Sequence, residues 1–257
     1  MFSNEPRCIY RKNPLAEVIC QLRFPEILKI SAEAPVAFQE AIRDEYPQYV
    51  RRNDPPMPRL PGVPVKPEKA EPVINHQFTS ADGLWRVNMT SKFISLACTR
   101  YTCWEDFAGR LDKPLAAFIQ LYKPAYFERV GLRYVNFFSR QALELEDVPY
   151  SQLFSPCYLG LLSEDDVMEQ AVSRSGLDTE LNLRAGCKAK IHAGPGKIQR
   201  NGKMDPEVKF IFDQDLFMPG QVPVNLSAGA LQTLHAQAWS IFRGAITDQL
   251  HEALDPK

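Results

Sequence analysis

Asp213 and Asp215 stand two residues apart in a strand-like run. In an extended chain that spacing puts both carboxylates on one face, where a third oxygen donor would complete a Mg²⁺ site for hydrolysis, as in a hydrolase or nuclease. Glu17, Asp178 and Glu180 are the donors on offer. The plainer reading is a pair of solvated charges beside a turn. Arg133 and Asn136 lie in a nearly all-apolar run, and Arg23 sits beside Phe24 in another. An arginine in such surroundings must be paired or must reach a cleft. Glu17 or Glu128 would pair Arg133; otherwise Arg23, Arg133 and Asn136 are candidates for binding a carboxylate or another anion. Lys188, Lys190 and His192 alternate with Ala189, Ile191 and Ala193. They present one basic face, to which Arg184 and Lys197 add charge, and that face is the candidate nucleic-acid site.

Other chemistry is hard to find. There is no G-x-G-x-x-G, Walker A, H-E-x-x-H or nucleophile elbow. Gly194-Pro195-Gly196-Lys197 lacks the spacer and the following hydroxyl residue of a phosphate loop, and reads as a turn. Cys98 and Cys103 form a C-x4-C pair with no second pair at zinc spacing, and His76 and His192 lie far off. His235 falls in an apolar helical stripe and reads as a core histidine rather than a general base. No cofactor and no catalytic residue are expected.

Composition sets the outer limits. The 257 residues carry 30 Lys plus Arg against 31 Asp plus Glu, a net charge of −1, which argues against blanketing nucleic acid or an anionic membrane. The first dozen residues hold Glu5, Arg7, Arg11 and Lys12 and form no signal peptide, so a cytoplasmic location with reduced thiols is expected. Of the six cysteines, Cys20 and Cys98 sit within apolar patterns and read as buried. The uncharged stretch Leu216–Phe242 contains too many polar and breaking residues to span a membrane; it reads as a loop followed by a buried helix.

Positioning elements follow from periodicity. Glu17–Phe24 alternates as a strand, and Phe38, Ala41, Ile42 and Glu45 keep helical spacing after Pro35. Residues 52–72 form a proline-rich segment, with Pro55, Pro58, Pro61, Pro64 and Pro67 at period three. It is a stiff polyproline spacer or a ligand for an aromatic groove. Two strands flank Thr90-Ser91-Lys92, with a turn at Ala81-Asp82-Gly83 before them. Thr102 and Glu105 suggest a capping box for a helix from Trp104 to Tyr122, kinked or broken at Pro114. Tyr126–Phe138 is apolar on both sides and reads as a central strand. Leu177–Leu183, Lys188–Ala193 and Glu207–Asp213 read as an antiparallel meander with a turn over 195–202. A last helix capped by Ser227 extends as far as Leu250. The fold class is therefore α+β, helices packed on a largely antiparallel sheet. It forms a single domain that would divide into 1–140 and 141–257, each half ending on a helix.

Asn13-Pro14-Leu15-Ala16-Glu17-Val18 with Arg23-Phe24, Asp44-Glu45-Tyr46-Pro47, Gly83-Leu84-Trp85, Trp104 with Phe107, Gly131-Leu132-Arg133-Tyr134-Val135-Asn136 and Ile246-Thr247-Asp248-Gln249-Leu250 occur in this order. The series resembles a sporadically distributed, uncharacterised prokaryotic family of about this length, and covers nearly the whole chain. The resemblance brings no activity or catalytic residues with it. Its patchy distribution implies an accessory locus, such as a defence or toxin–antitoxin module. The resulting expectation is a non-enzymatic protein whose partner is another protein; the alternatives are a metal-dependent hydrolase or nuclease using Asp213 and Asp215 and local nucleic-acid binding through Lys188, Lys190 and His192, and a homo-oligomer is compatible with the first.

Overall fold

Val18, Cys20 and Leu22 are fully buried, while Glu17, Ile19 and Gln21 between them are not. One face of this strand is covered and the other open, as its alternation dictates. The same parity runs through the molecule. The computed structural model describes residues 2–54, 73–200 and 202–257. The strands are β1 (Leu15–Arg23), β2 (Gln48–Asp54), β3 (Val73–Thr79), β4 (Trp85–Met89), β5 (Phe93–Cys98), β6 (Phe127–Phe138), β7 (Leu177–Asn182), β8 (Lys188–Arg200) and β9 (Lys203–Val222). They form one antiparallel sheet in the order β2-β3-β4-β5-β1-β6-β9-β8-β7. The α+β class and the antiparallel sheet are thus as expected, and β6 is interior, between β1 and β9.

The helices are α1 (Leu28–Ala32), α2 (Val36–Ile42), α3 (Trp104–Tyr122), α4 (Arg140–Leu143), α5 (Tyr150–Leu153), α6 (Ser227–Ala245) and α7 (Asp248–Ala253). The longer ones lie on the apolar face. Phe118 of α3 packs on Phe24, Phe107 on Trp85, and Phe38 of α2 on Phe78. Phe242 of α6 meets Phe138 and Phe212. Each fully buried side chain of this size contributes about 2 kcal/mol through lost water contact. Among the described residues, no helix is long and apolar enough to cross a membrane.

Chain order and sheet order show a partial repeat of strand arrangement whose break falls before β6, so the expected division at 140/141 is corrected: it would place β6 with the wrong set of strands. Strand β1, helices α1 and α2, strands β2–β5 and helix α3 are followed by β6, helices α4 and α5, strands β7–β9 and helix α6. In the sheet, β3-β4-β5-β1 is mirrored by β6-β9-β8-β7, with the seam between β1 and β6.

Several expected boundaries are corrected. The turn assigned to residues 195–202 is strand through most of its length, since β8 runs to Arg200 and Pro195 pairs with Phe210. Beyond Ala193 strand β8 has no β7 partner, so a proline there removes no ladder bond on that side. The expected loop after Leu216 begins as strand, because β9 continues to Val222. Helix α3 runs unbroken through Pro114. Its N-cap is Cys103, without a side-chain bond, and the Thr102 hydroxyl donates to Asp106 instead. Ser227 is inside the first turn of α6, its hydroxyl donating to the Val224 carbonyl. The last helix stops at Ala245; Leu250 belongs to α7, which Thr247 caps at 3.3 Å. The period-three prolines lie outside the described residues, and only the first three positions of that segment are seen, as the end of β2.

Candidate functional site: the open sheet face and an aromatic pocket behind it

Paired residues in adjacent strands share a face, so register assembles the open side of the sheet. One row runs Glu180, Lys190, Asp215, Arg133, Ile19, Ala97, Arg86, Thr79, Gln48 across all nine strands. The next runs Asn182, Lys188, Phe217, Gly131, Gln21, Ser95, Asn88, Gln77, Val50. Charge sign alternates strand by strand on the β7 side: acidic on β7, basic on β8, acidic on β9, basic on β6.

These neighbours neutralise one another. Asp213 receives the Arg133 guanidinium through Nε at 2.8 Å and also through a terminal nitrogen. Asp215 accepts from Arg129 at 2.6 Å. Each aspartate thus already has a guanidinium where a shared cation would sit. Among the described residues no three His, Cys, Asp or Glu side chains are grouped to hold a metal. Arg133 is corrected in two respects: its side chain is 46% exposed rather than buried, and its partner is Asp213 rather than Glu17 or Glu128. That pairing raises its already high pKa further. Glu17 instead pairs with Arg86 at 3.1 Å. Arg23 is exposed at the end of β1 and makes no ion pair among the described residues. Lys188 and Lys190 both reach Glu180, at 3.4 and 3.6 Å, and His192 Nδ1 lies 2.9 Å from Asp178. The basic face seen in the sequence is therefore one column of a balanced lattice.

Gly131 opens space in the middle of this face. Arg129 folds over it, stacks on Phe217 at 4.6 Å, and would collide with a Cβ there at 2.1 Å. On the β2-to-β1 side the face sinks into a groove of about 390 Å³. Gln21, Asn75, Gln77, Asn88 and Ser95 give it an amide and hydroxyl floor, with Ile19 and Phe93 as apolar members. Asn75 donates to Asp54 at 2.6 Å.

Asn136 is not on that face. With Tyr134 and Gln214 it interrupts the apolar side of β6 and β9, where its amide donates to the Phe212 carbonyl at 3.1 Å. Here a pocket of about 80 Å³ lies between the sheet, α6 and an N-terminal strap, residues 2–14. His235, Trp239 and Phe242 of α6 line it, as do Tyr10 and Tyr101. His235 is 8% exposed, stacks on Trp104 at 4.5 Å and 9°, and shares a 2.7 Å hydrogen bond with the Tyr134 hydroxyl through Nδ1. Burial, aided by Arg7, pushes its pKa down to about 4 against a smaller opposing pull from Glu105. Burial also holds the Tyr134 phenol far above its ordinary value. The sequence predicts a satisfied core histidine at His235, yet among the described residues its Nε2 has no hydrogen-bond partner, and neither has Gln214 Oε1. The strap is tied down by Arg243, which bonds Glu5 at 2.7 Å and Asp248 at 2.6 Å, and by the Trp239 indole donating to the Glu5 carbonyl. Sequence reading missed this site because its members are far apart in the chain. The one available signal was polar residues at apolar parity: Gln214 after Phe210 and Phe212, and Asn136 after Leu132 and Tyr134.

Compared with known proteins, the chain matches no family model and no curated protein. The motif residues behind the family resemblance nevertheless have structural duties. Asn13 bonds the Tyr101 carbonyl and the Leu15 amide, Asp44 pairs with Lys113, and the Tyr46 hydroxyl donates to the Arg110 carbonyl.

Proposed function

We propose that this chain is a non-enzymatic binding protein that docks another protein on the open face of its sheet. The observation that carries the reading is the distribution of side chains there. Half-exposed apolar residues, Ile19, Phe93, Val135 and Phe217, are interleaved on the central strands with mutually neutralising ion pairs, Arg133 with Asp213 and Arg129 with Asp215. Accessible apolar groups among paired charges suit a protein partner, whose interfaces mix apolar and polar contacts. Nine strands at ~4.8 Å spacing give a face roughly 40 Å wide, enough for the ~800 Å² that a specific complex covers on each partner. A nucleic-acid surface needs unspent positive charge, and Lys188 and Lys190 of β8 and Arg129 and Arg133 of β6 each lie beside a carboxylate. The accessory-locus setting implied by the resemblance makes neighbouring gene products the first partners to test.

Affinity purification from the native host, with reciprocal capture, tests this. Wild type and Leu121→Lys, a change on the exposed back of α3, should recover one stoichiometric protein. Ile19→Glu and Phe93→Glu should lose it while melting within a few degrees of wild type. A solitary monomer, or a partner retained by both face variants, would refute the proposal.

A further inference from the structure

We propose that the β2-to-β1 end of the open face receives an extended acidic segment of the docked protein, lying across the strands from Arg52 to Arg23 with uncharged residues between two acids. The inference rests on the docking reading above and names the chemistry the partner must bring.

Charge is paired on the β6-to-β8 side of the face but not along one line at this end. His76, Met89, Ile94 and Leu22 stand opposite one another on β3, β4, β5 and β1, facing the core. One step along, on the open side, Arg52 and Asn75 are level with Phe93 and Arg23, and Arg23 is opposite Arg129. This line holds three arginines and no carboxylate. Arg129 is answered by Asp215. Arg23 and Arg52 are exposed and make no ion pair among the described residues. The acids close by are already engaged: Asp54 accepts from Asn75 at 2.6 Å, Glu17 pairs with Arg86 at 3.1 Å, and Glu26 with Lys92 at 3.6 Å. Unanswered cations on a docking face call for carboxylates on the partner.

The floor between the two arginines is uncharged and unspent. Gln77, Asn88, Ser95 and Gln21 form an unbroken row on four adjacent strands. Among the described residues, Gln21 and Ser95 make no side-chain hydrogen bond, and the Gln77 side-chain oxygen and the Asn88 side-chain nitrogen are also without a partner. None of these atoms is sealed from solvent. All four side chains therefore reach the groove of about 390 Å³ with donors and acceptors to offer. An extended backbone presents free N–H and C=O groups to such a floor, whereas a helix spends its own internally. Four strand spacings of ~4.8 Å, ~19 Å in all, separate Arg52 from Arg23, a distance that an extended chain at ~3.3 Å per residue crosses in about six residues. An even interval keeps both acids on the side facing the sheet.

The test is calorimetric titration of the full chain with the blocked peptide Asp-Ser-Gly-Ser-Gly-Ser-Asp. The same peptide with Lys at both ends and a short single-stranded oligothymidylate are the controls. The acidic peptide should saturate at one per chain. Arg23→Glu and Arg52→Glu, both at exposed positions, should weaken it about tenfold or more without lowering the melting temperature, and Leu121→Lys should leave it unchanged. The chain carrying both reversals should take the lysine peptide instead. No saturable binding of the acidic peptide, equal binding of the lysine peptide by wild type, tighter binding of the oligothymidylate, or arginine variants that bind as wild type does would overturn the proposal. In the capture experiment, a solitary monomer sinks the docking reading itself. A partner kept by Arg23→Glu and Arg52→Glu but lost by Ile19→Glu sinks only this inference.

Discussion

At the scale of single residues, His235 makes the clearest claim. Its folded-state pKa is near 4, while an exposed imidazole titrates near 6.5. Between these values the unfolded chain takes up a proton that the folded one refuses. Its contribution to stability is therefore complete above about pH 6.5 and falls away as pH drops toward 4. The full span amounts to about 3 kcal/mol. Urea unfolding of wild type and His235→Phe at pH 7 and pH 4.5 checks this. The variant should lose less stability on acidification, whereas equal losses would remove His235 as the cause. His76, also held below its ordinary value by burial, is common to both proteins and cancels in the comparison. The sequence placed His235 on a buried stripe and Asn136 in a buried strand. It could not place Tyr134 against His235 or reveal an unpaired Nε2, since those depend on how α6 crosses β6. Arg133 was misjudged for a related reason: parity assigns it a face, but only the sheet order decides that this face is open.

At the scale of elements, two glycines separate backbone need from side-chain convenience. Gly194 in β8 has φ +157°, and a Cβ there would lie 2.7 Å from the Ser175 carbonyl oxygen. Backbone cannot swing aside, so Gly194→Ala should cost about 2 kcal/mol or more. A Cβ on Gly131 meets only the tip of Arg129, which can move away at the loss of its stack on Phe217 and its bond to Asp215. Gly131→Ala should therefore cost nearer 1 kcal/mol. Chemical denaturation of both variants tests the order, and a greater loss from Gly131→Ala would contradict it. The same strand shows why its boundary was hard to read. Gly194-Pro195-Gly196 is turn-like by composition, yet the stretch lies where β8 has run past β7 and tolerates a missing donor. Where alternation was clean, as in β1, β4, β5 and β7, the strands were legible to within a residue or two. The exposed edge strand β2 carries no apolar alternation and was not foreseen.

At the scale of the whole molecule, the strand arrangement repeats in part on either side of a seam between β1 and β6, and the break falls before β6 rather than at residue 140. The seam also dictates an order of assembly. Ile19 of β1 pairs with Ala97 on one side and Arg133 on the other, so the first strand made must wait for strands made much later. Such non-local pairing predicts slow folding. It also predicts that each half made alone would present a bare inner strand, β1 or β6, whose natural cover is the other half. Fragments 1–124 and 125–257 should then reassemble when co-expressed and elute as one species the size of the intact chain. Two fragments that stay apart as well-behaved monomers would show that each half closes its own edge, and that the seam joins finished units rather than completing them.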